Sequence, residues 1–235
     1  MTKSSEILIV IPARGGSKRL PRKNVLPLMG KPLICWTIEQ ALDANLGAKI
    51  IVSSDDDEIL EIARKYDFHG VCVHRRNARL ATDEASTADV LIDVVNSEFA
   101  VGNCPKVLVL LQPTSPLRSS EDICVALQVF KDNGSLNSVV SVCKVDHPTA
   151  WVGYVDEHSV FTGAQITNKR SQDYKQEFRL NGAVYVVLVS NLISNRSHFT
   201  QKLLASVMPR ERSVDIDEDL DFNICERLKE IFSNS

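Results

Sequence analysis

The chain has 235 residues, of which 44% are hydrophobic and 24% are charged, and its formal net charge is -3. This length allows one domain with a full apolar core, and the near-neutral charge argues against a general nucleic-acid binder. Because no run of 18 apolar residues occurs and residues 1–6 lead straight into a strand pattern rather than into a signal peptide, we expect a cytoplasmic protein without a membrane partner.

The cysteines are scattered through the chain without Cys-x-x-Cys spacing. Most of them lie in apolar stretches, so we expect reduced thiols in the core rather than disulfides or zinc ligands. They are Cys35, Cys72, Cys104, Cys124, Cys143 and Cys225.

The first part of the chain alternates between strands and helices. An apolar strand begins after Glu6, and the pattern then predicts a helix at 31–45, a strand at 48–53, a helix at 56–66 and a strand at 70–74. Alternation at this spacing indicates an α/β fold, with a mainly parallel, Rossmann-like sheet flanked by helices and joined by right-handed crossovers. We expect one such domain over residues 1–235.

The middle of the chain continues this alternation. A polar loop at 75–86 precedes a predicted helix at 87–99 and a very apolar strand at 106–112. Two prolines and two hydroxyl residues stop that strand. A helix capped by Ser120 follows, and then a strand at 138–144.

The pattern weakens between residues 145 and 175. Here Trp151, Tyr154 and Phe161 stand among polar residues, which favours a subunit contact or a local mini-core. We interpret 145–175 as a dimerisation arm inserted in the domain. The elements predicted after the arm are a strand or strand pair at 178–189, a helix at 191–197, a strand at 213–217 and a helix at 219–233.

A strongly cationic loop follows the first strand. Gly15 and Gly16 let backbone amides approach an anion, and the surrounding side chains can neutralise a triphosphate. The loop has neither Walker A nor Gly-x-Gly-x-x-Gly spacing, so the usual P-loop and dinucleotide-binding signals are absent. A solvated basic loop and a nuclear import signal are the alternative interpretations. The cations between Glu6 and Glu39, where no acidic residue occurs, are Arg14, Lys18, Arg19, Arg22, Lys23 and Lys31.

An acidic cluster lies near the other end of the chain. Asp215 and Asp217 alternate with the apolar residues Val214 and Ile216, so on a strand both carboxylates would face the same way. Two adjacent carboxylates repel each other unless a cation or a proton lies between them, and Mg²⁺ is commonly held by one or two carboxylates plus substrate phosphates. The pair therefore predicts a metal site.

Four stretches, taken in order, carry a more specific signal. They are Ile-Pro-Ala-Arg14-Gly-Gly-Ser17-Lys18-Arg-Leu-Pro-Arg-Lys23-Asn24, Leu-Leu-Gln112-Pro-Thr-Ser-Pro-Leu-Arg118, Arg179-Leu-Asn181-Gly-Ala-Val-Tyr185 and Val-Asp215-Ile-Asp217-Glu-Asp-Leu-Asp221. From residue 7 to about 222 the chain resembles the acylneuraminate cytidylyltransferases, the CMP-sialic acid synthetases. The resemblance implies a nucleotide-diphospho-sugar transferase fold, CTP and a nine-carbon 2-keto sugar acid as substrates, Mg²⁺ as cofactor, and a homodimer whose arm reaches the partner's site.

The resemblance also assigns residues to the nucleotide. Cations at the triphosphate would stabilise the departing pyrophosphate as well, and Arg76 and Thr87 match positions near the cytosine. The residues assigned to the nucleotide are Arg14, Gly15, Gly16, Ser17, Lys18, Lys23, Asn24, Arg76 and Thr87. Those expected to take part in catalysis are Arg14, Lys18, Lys23, Asp215 and Asp217, of which Asp215 and Asp217 would hold the metal.

The sugar is assigned to residues of the second and third stretches. Gln112 ends the predicted strand at 106–112, at the point where α/β proteins bind ligands. Arg179, Asn181 and Tyr185 share parity on an extended chain, so we expect one common face if no bulge intervenes. The arm arginine of the family is replaced here by Ser171, and Arg170, one residue earlier, is our candidate for its role.

The sequence is compatible with several alternative functions. The same chemistry on legionaminic or pseudaminic acid is the closest alternative, and deoxyoctulosonate activation fits the opening loop less well. A catalytically inert nucleotide-binding scaffold is an alternative from another class, although it would have no chemical need for the aspartate pair. An RNA-binding role would need aromatic platforms or a wider positive face, and the sequence offers neither.

Overall fold

The computed structural model describes residues 5–82 and 84–233. The expectations for residues 1–4, for Asp83 within the 75–86 loop and for residues 234–235 of the single domain lie outside the described residues. All six cysteines are described, and all are free thiols. Cys35, Cys143 and Cys225 are buried as expected, whereas Cys104 is exposed.

A mixed sheet forms the centre of the described chain. In chain order its strands, together with two short two-stranded pairs, are β1 (Ile7–Pro12), β2 (Pro27–Leu28), β3 (Lys31–Pro32), β4 (Lys49–Ser54), β5 (Val71–Arg75), β6 (Val107–Leu111), β7 (Ser138–Lys144), β8 (Tyr154–Val155), β9 (Phe161–Thr162), β10 (Phe178–Leu188) and β11 (Leu203–Val207). The seven-stranded sheet has the order β11-β7-β10-β6-β1-β4-β5. Only β10 runs antiparallel to its neighbours β6 and β7, so the prediction of a mainly parallel α/β sheet is confirmed.

Helices cover both faces of this sheet. They are α1 (Leu33–Asp43), α2 (Asp57–Arg64), α3 (Thr87–Ala100), α4 (Ser120–Asp132), α5 (Val189–Asn195) and α6 (Asp219–Ser233). Because strand side chains alternate, Ile9 and Ile11 pack with α1, α2 and α4, while Leu8 and Val10 pack with α3 and α5. None of the helices described is long and apolar enough to cross a membrane.

A third, smaller apolar cluster lies at the carboxyl edge of the sheet. It joins Leu20 of the cationic loop, Leu117 after β6, Ile216 between the two aspartates, and Cys225 of α6. All four side chains are buried. The cluster therefore fixes the cationic loop against the acidic segment, although nearly 200 residues separate them in the sequence.

Two local predictions are wrong, and one strand was not predicted. The predicted strand at 213–217 is an irregular segment, attached at its centre by the Ile216 amide, which donates to the Thr114 carbonyl at 2.8 Å. Strand β11 falls where no element was predicted and pairs in parallel with β7. Helix α4 is capped by Ser119 rather than Ser120, through a capping box in which Ser119 and Asp122 bond reciprocally.

The 145–175 segment is irregular, as predicted, and has little regular secondary structure of its own. Its β8–β9 hairpin is exposed on both strands. Several large apolar side chains are exposed along it, namely Trp151, Val152, Tyr154, Val155, Val160, Phe161 and Ile166. The interpretation as a dimerisation arm stays a prediction, since a single chain does not test it.

Candidate active site

An open cleft of about 540 Å³ lies at the carboxyl ends of β1, β5 and β6. Parallel strands bring their carboxyl ends to one edge of a sheet, and ligands of α/β proteins bind there. Ten of the residues predicted to bind substrates line this one cleft. They are Arg14, Ser17, Lys18, Lys23, Asn24, Arg76, Thr87, Gln112, Asp215 and Asp217.

The acidic residues between β4 and α2 hold the inner part of the cationic loop. The Gly15 amide donates to Asp55 Oδ1 at 3.2 Å, and a Cβ at Gly15 would lie 2.6 Å from Asp56 Oδ2. Gly15 is thus required for the close approach of Asp56, and its amide is used within the protein rather than offered to an anion as we expected. Gly16 has open space around it.

The outer part of the loop is held by the same acidic segment. Arg22 adopts a left-handed conformation with φ of 59° and donates to the carboxylates of Asp56 and Glu58. These two contacts raise the pKa of the Arg22 guanidinium. Asn24 is buried and donates to the Arg14 carbonyl at 2.9 Å, so it closes the loop from the inside.

The cationic loop and the acidic segment are joined directly. Lys23 is almost fully buried, donates to the Ile216 carbonyl and lies 3.2 Å from Asp217 Oδ1. Arg19 donates to Asp217 Oδ2 at 2.8 Å. The amides of Asp217 and Glu218 both donate to Asp221 at the start of α6. Two cations from one end of the chain therefore converge on a carboxylate from the other.

Asp215 has a different environment from Asp217. Its Oδ1 atom is buried and has no hydrogen-bond partner within the described chain. Burial raises the pKa of Asp215, and the nearby charge of Asp217 adds to this, while a hydrogen bond from Thr114 and the charge of Lys23 act in the opposite direction. An uncompensated carboxylate oxygen beside a second carboxylate is chemically suited to a cation.

The far end of the cleft has the composition of a base pocket. Apolar side chains of Leu80, Ala85 and Val90 line it together with the hydroxyl of Thr87. Arg76 is 6% exposed, and its Nη2 donates to the Ser53 carbonyl at 2.8 Å. Burial lowers the pKa of this guanidinium. An apolar lining with one guanidinium and one hydroxyl can hold a nucleobase and bond to its edge.

The expected common face of Arg179, Asn181 and Tyr185 is wrong. Between Leu180 and Tyr185 the pairing of β10 with β7 shifts, so that the four residues 181–184 of β10 lie opposite a single residue of β7, Ser141. Gly182 lies in this bulge with φ of 76°, a conformation that favours glycine. A Cβ there would lie 2.9 Å from Gln112 Oε1 and 3.5 Å from Asp215 Oδ2.

The bulge sends the three side chains to different environments. Arg179 is exposed and donates to the neighbouring Leu180 carbonyl at 3.4 Å. Asn181 is buried, where it accepts from Ser141 Oγ at 2.6 Å and donates to Ser213 Oγ at 2.9 Å. Tyr185 is 7% exposed and packs edge-on against two aromatic rings in the core. The structure does not bring these residues into the cleft.

Arg170 also lies outside the cleft. It is exposed on the arm and forms an ion pair with Asp173 at 3.3 Å. Both arginines predicted to contact the sugar, Arg170 and Arg179, thus lie on the surface of a single chain.

Sequence reasoning missed the importance of Arg118. Its side chain is 1% exposed and donates to the carbonyls of Gln112 and Ala183 at 3.2 and 2.8 Å, and to Thr37 Oγ1 at 2.9 Å. It therefore ties the end of β6 to the β10 bulge. Burial lowers the pKa of Arg118 to about 9. The available signal was an arginine two residues after Pro116, at the end of the Gln-Pro-Thr-Ser-Pro-Leu-Arg stretch that follows an apolar strand.

Arg19, Asp55 and Thr114 were also given no role from the sequence. Arg19 and Thr114 line the cleft and contact the aspartate pair, while Asp55 fixes Gly15. Their contacts join segments far apart in the chain, so sequence spacing alone could not have found them.

The Rossmann-like sheet carries a cationic loop at its carboxyl edge, and the cleft there is lined by an apolar base pocket and by two carboxylates. This combination defines a nucleotide-binding α/β protein of the nucleotide-sugar transferase type. A family profile described as cytidylyltransferase matches residues 8–223. The chain belongs to this family, which confirms the resemblance found in the four motifs.

Individual relatives agree with this membership. The chain is 35% identical to the CMP-N,N'-diacetyllegionaminic acid synthase of Legionella pneumophila, with 96% of this chain and 97% of that protein covered. It is 31% identical to a pseudaminic acid cytidylyltransferase of Campylobacter jejuni, with 92% and 93% covered. It is 32% identical to the N-acylneuraminate cytidylyltransferase of Escherichia coli O18:K1:H7, but that match covers 94% of this chain and 51% of that protein. The chain thus spans about half the length of the N-acylneuraminate cytidylyltransferases it matches.

A solved structure confirms the fold. The structure of CMP:2-keto-3-deoxy-manno-octonic acid synthetase complexed with CTP matches with a TM-score of 0.71 at 20% identity, covering 97% of this chain and 100% of that one. At this identity the likeness shows the nucleotide-diphospho-sugar transferase fold alone.

Proposed function

We propose that the chain activates a nine-carbon 2-keto sugar acid of the sialic acid type with CTP, giving the CMP-sugar and pyrophosphate. The observation that carries this is the single cleft in which Lys23 and Arg19 meet Asp217, with the base slot at the other end. Phosphoryl transfer needs mainly positioning and charge neutralisation, and the lining of this cleft supplies both. The names of the family members found by comparison support the same reaction class.

Different residues of the chain would have different roles along the cleft. Arg14, Ser17 and Lys18 line it where the triphosphate of CTP would lie, and they would neutralise the charge that builds up on the leaving pyrophosphate. Lys23 is held at the junction and would stay fixed during the reaction because it is buried. Arg76 and Thr87 would orient the base.

The aspartate pair fits Mg²⁺. The unpartnered Oδ1 of Asp215 and the carboxylate of Asp217 line the same cleft. No group of three or more His, Cys, Asp or Glu side chains suited to a metal occurs among the described residues, so the remaining ligands would be substrate phosphates and water, as is usual for Mg²⁺. When bound, this ion would neutralise phosphate charge and lower the pKa of the attacking sugar hydroxyl.

Legionaminic acid is the second candidate for the sugar. The relative named for its diacetyl form is matched over nearly the full length of both proteins, at 35% identity. The relatives named for N-acylneuraminate are matched over about half of their length. The cleft residues of this chain do not separate the two sugars.

We further propose a homodimer formed through the 145–175 arm. The exposed apolar residues of the arm, such as Tyr154 at 80% and Ile166 at 74%, support this because large apolar patches mark protein contacts. Arg170 and Arg179 would then act on the sugar carboxylate in the assembled dimer. The cytoplasmic location stays a prediction, supported by the six free thiols.

Pyrophosphate release from CTP and Mg²⁺ tests the proposed reaction. The sugars compared are N-acetylneuraminic, diacetyllegionaminic, pseudaminic and deoxyoctulosonic acids, and UTP and ATP serve as control nucleotides. We expect release with CTP and with a nine-carbon acid, well above that with the eight-carbon acid. Release with no sugar, despite binding of CTP, would favour the inert scaffold.

A further inference from the structure

A chain of hydrogen-bonding side chains runs behind the base slot. Ser53 at the end of β4 lies opposite His74 of β5 in the parallel register. Ser53 Oγ is 3.1 Å from His74 Nδ1, and His74 Nε2 is 3.5 Å from Asp93 Oδ2 of α3. This is a serine-histidine-aspartate sequence of contacts. However, Ser53 is fully buried, so no substrate can reach its hydroxyl as it would in a hydrolase.

The same serine holds Arg76. The Ser53 carbonyl accepts from Arg76 Nη2 at 2.8 Å, and Ser53 Oγ accepts from Arg76 Nε at 3.5 Å. The Arg76 amide donates to the Ser54 carbonyl at 2.8 Å. With Nε and Nη2 directed at Ser53, the Nη1 side of the guanidinium is left for a ligand in the cleft that Arg76 lines.

One arrangement of protons gives every donor in this series of side chains an acceptor. If Ser53 Oγ accepts from Arg76 Nε, its only proton is donated to His74 Nδ1. The proton of neutral His74 then lies on Nε2 and is directed at Asp93. A protonated His74 would instead present a second donor to Ser53 Oγ and leave the serine hydroxyl proton without its partner.

The surroundings of His74 favour the neutral form. Burial lowers the pKa of His74 and is the largest effect. The charges facing the ring are Asp93 and Glu98 of α3, which raise its pKa, and Arg76, which lowers it. Glu98 is itself paired with Lys49 at 2.8 Å. Geometry and burial thus agree on a neutral histidine that accepts from Ser53.

We propose that His74 and Ser53 are positioning residues that orient Arg76 toward the nucleobase, with Asp93 fixing the ring of His74. This inference rests on the proposed function, because it takes CTP as the ligand of the cleft. Neither residue lines the cleft. Their effect would therefore be on nucleotide affinity and base selectivity rather than on the chemical step.

Calorimetric titration of CTP and UTP in the absence of sugar tests the proposal. The variants are His74→Ala, Ser53→Ala, the double variant, and His74→Asn, whose side-chain amide can reach the position of Nδ1. His69→Ala is the matched control, because His69 is exposed just before the same strand. Thermal unfolding shows whether each variant is folded. If an alanine variant does not fold, CTP titrations of His74→Asn and Asp93→Asn replace it.

We expect His74→Ala and Ser53→Ala each to raise the Kd for CTP about tenfold, the effect of one lost hydrogen bond that orders a charged group. The ratio of CTP to UTP affinity should fall, and the double variant should be no weaker than either single one. His74→Asn should recover most of the affinity, and His69→Ala should match the wild type. Wild-type affinity in both alanine variants, or effects that add in the double variant, would overturn the proposal.

The outcomes separate this inference from the proposed function. A wild-type protein that binds CTP but activates no sugar would refute the reaction and leave the roles of His74 and Ser53 to be decided by the titrations. A wild-type protein that turns over normally while His74→Ala binds CTP unchanged would refute only this inference. A wild-type protein that does not bind CTP would refute both.

Discussion

The nucleotide end and the sugar end of the candidate site are built in different ways. Seven of the nine residues predicted for CTP line one cleft, and Gly15 and Gly16 do not. The loop after β1, which carries most of the seven, is fixed by buried contacts. Of the residues predicted for the sugar, only Gln112 lines that cleft. Asn181 and Tyr185 are buried, while Arg170 and Arg179 are exposed.

The difference follows from the strands that carry each end. Parallel strands place their carboxyl ends at one edge automatically, so residues far apart in sequence meet there. The sugar end depends instead on the antiparallel strand β10, which is bulged, and on the arm before it. A single chain thus brings together most of the residues proposed for the nucleotide, while those proposed for the sugar are dispersed. In the proposed homodimer, the second chain would complete the sugar end.

The largest effect is expected at the junction of the two ends. Asp217→Ala should lower turnover with CTP and Mg²⁺ by about 10³-fold or more, because it removes a proposed metal ligand and leaves Lys23 and Arg19 without their carboxylate. Asp217→Asn, which keeps the shape, should lose nearly as much. Pyrophosphate release measured against Mg²⁺ concentration is the readout.

Glu218→Gln is the matched control for this prediction. Glu218 is the next residue, is exposed, and does not line the cleft. It should keep wild-type turnover and Mg²⁺ dependence. Near-normal turnover of Asp217→Ala with an intact fold would remove the metal assignment.

A smaller effect, confined to the sugar end, is expected from the arm. Tyr154→Ser combined with Ile166→Glu should convert a dimer into monomers, because both side chains are largely exposed and apolar. The KM for the sugar should then rise about tenfold or more, the loss expected when an ionic contact to a carboxylate is removed, while the Kd for CTP stays unchanged. Sedimentation velocity and steady-state kinetics measure the two quantities.

Leu136→Glu, an equally exposed apolar position outside the arm, is the control for this pair. It should change neither the sedimentation coefficient nor the KM. An arm variant that weakens CTP and sugar equally would contradict the separation of the two ends.

The same contrast explains what could be predicted from the sequence. The loop after β1 was predictable because a strand pattern that ends in glycines and cations is a local signal. The pairing of Asp215 and Asp217 was also predictable, although the strand on which we based it is absent: Ile216 is buried in an apolar cluster and turns the two carboxylates to the same cleft.

The sugar end was not predictable in the same way. Parity along 178–189 assumed a regular strand, and the bulge at Gly182 became visible only with the partner strand β7 in place. The buried Arg118 and the missed strand β11 likewise depend on contacts between distant segments. Such long-range contacts have no counterpart in local periodicity.

A modest effect on stability is expected at Asp215. Because burial raises the pKa of this carboxyl, ionised Asp215 destabilises the ligand-free protein at neutral pH, where the unfolded chain keeps the ordinary pKa. Asp215→Asn should therefore raise the melting temperature by roughly 2–4 °C, the shift that about 1 kcal/mol produces in a chain of this size. Turnover should be lost at the same time.

Mg²⁺ with CTP should stabilise the wild type and not Asp215→Asn, which calorimetry or thermal scanning can compare. Thr114→Val is a useful companion, since it removes the hydrogen bond that lowers the pKa of Asp215 and should shift stability in the opposite direction. A lower melting temperature for Asp215→Asn would show that Oδ1 has a partner in solution.

The smallest effect concerns two partly buried histidines, one near each end of the site. Burial lowers the pKa of His74 behind the base slot and of His198, which packs against Tyr185 and Phe199. Between the lowered pKa and the ordinary 6.5, the unfolded chain binds more protons than the folded one. The free energy of unfolding should thus be highest above about pH 6.5 and should decline as the pH falls through this window.

Unfolding by urea at a series of pH values measures this decline, and variants assign it to the two ends. His198→Phe keeps an aromatic ring in the cluster and should flatten part of the slope with little change at pH 8, and His74→Asn should flatten another part. CTP affinity should become less dependent on pH in His74→Asn alone, because only that histidine contacts the residue that holds Arg76. If the pH dependence of CTP affinity changed equally in both variants, the two ends of the site would not be independent.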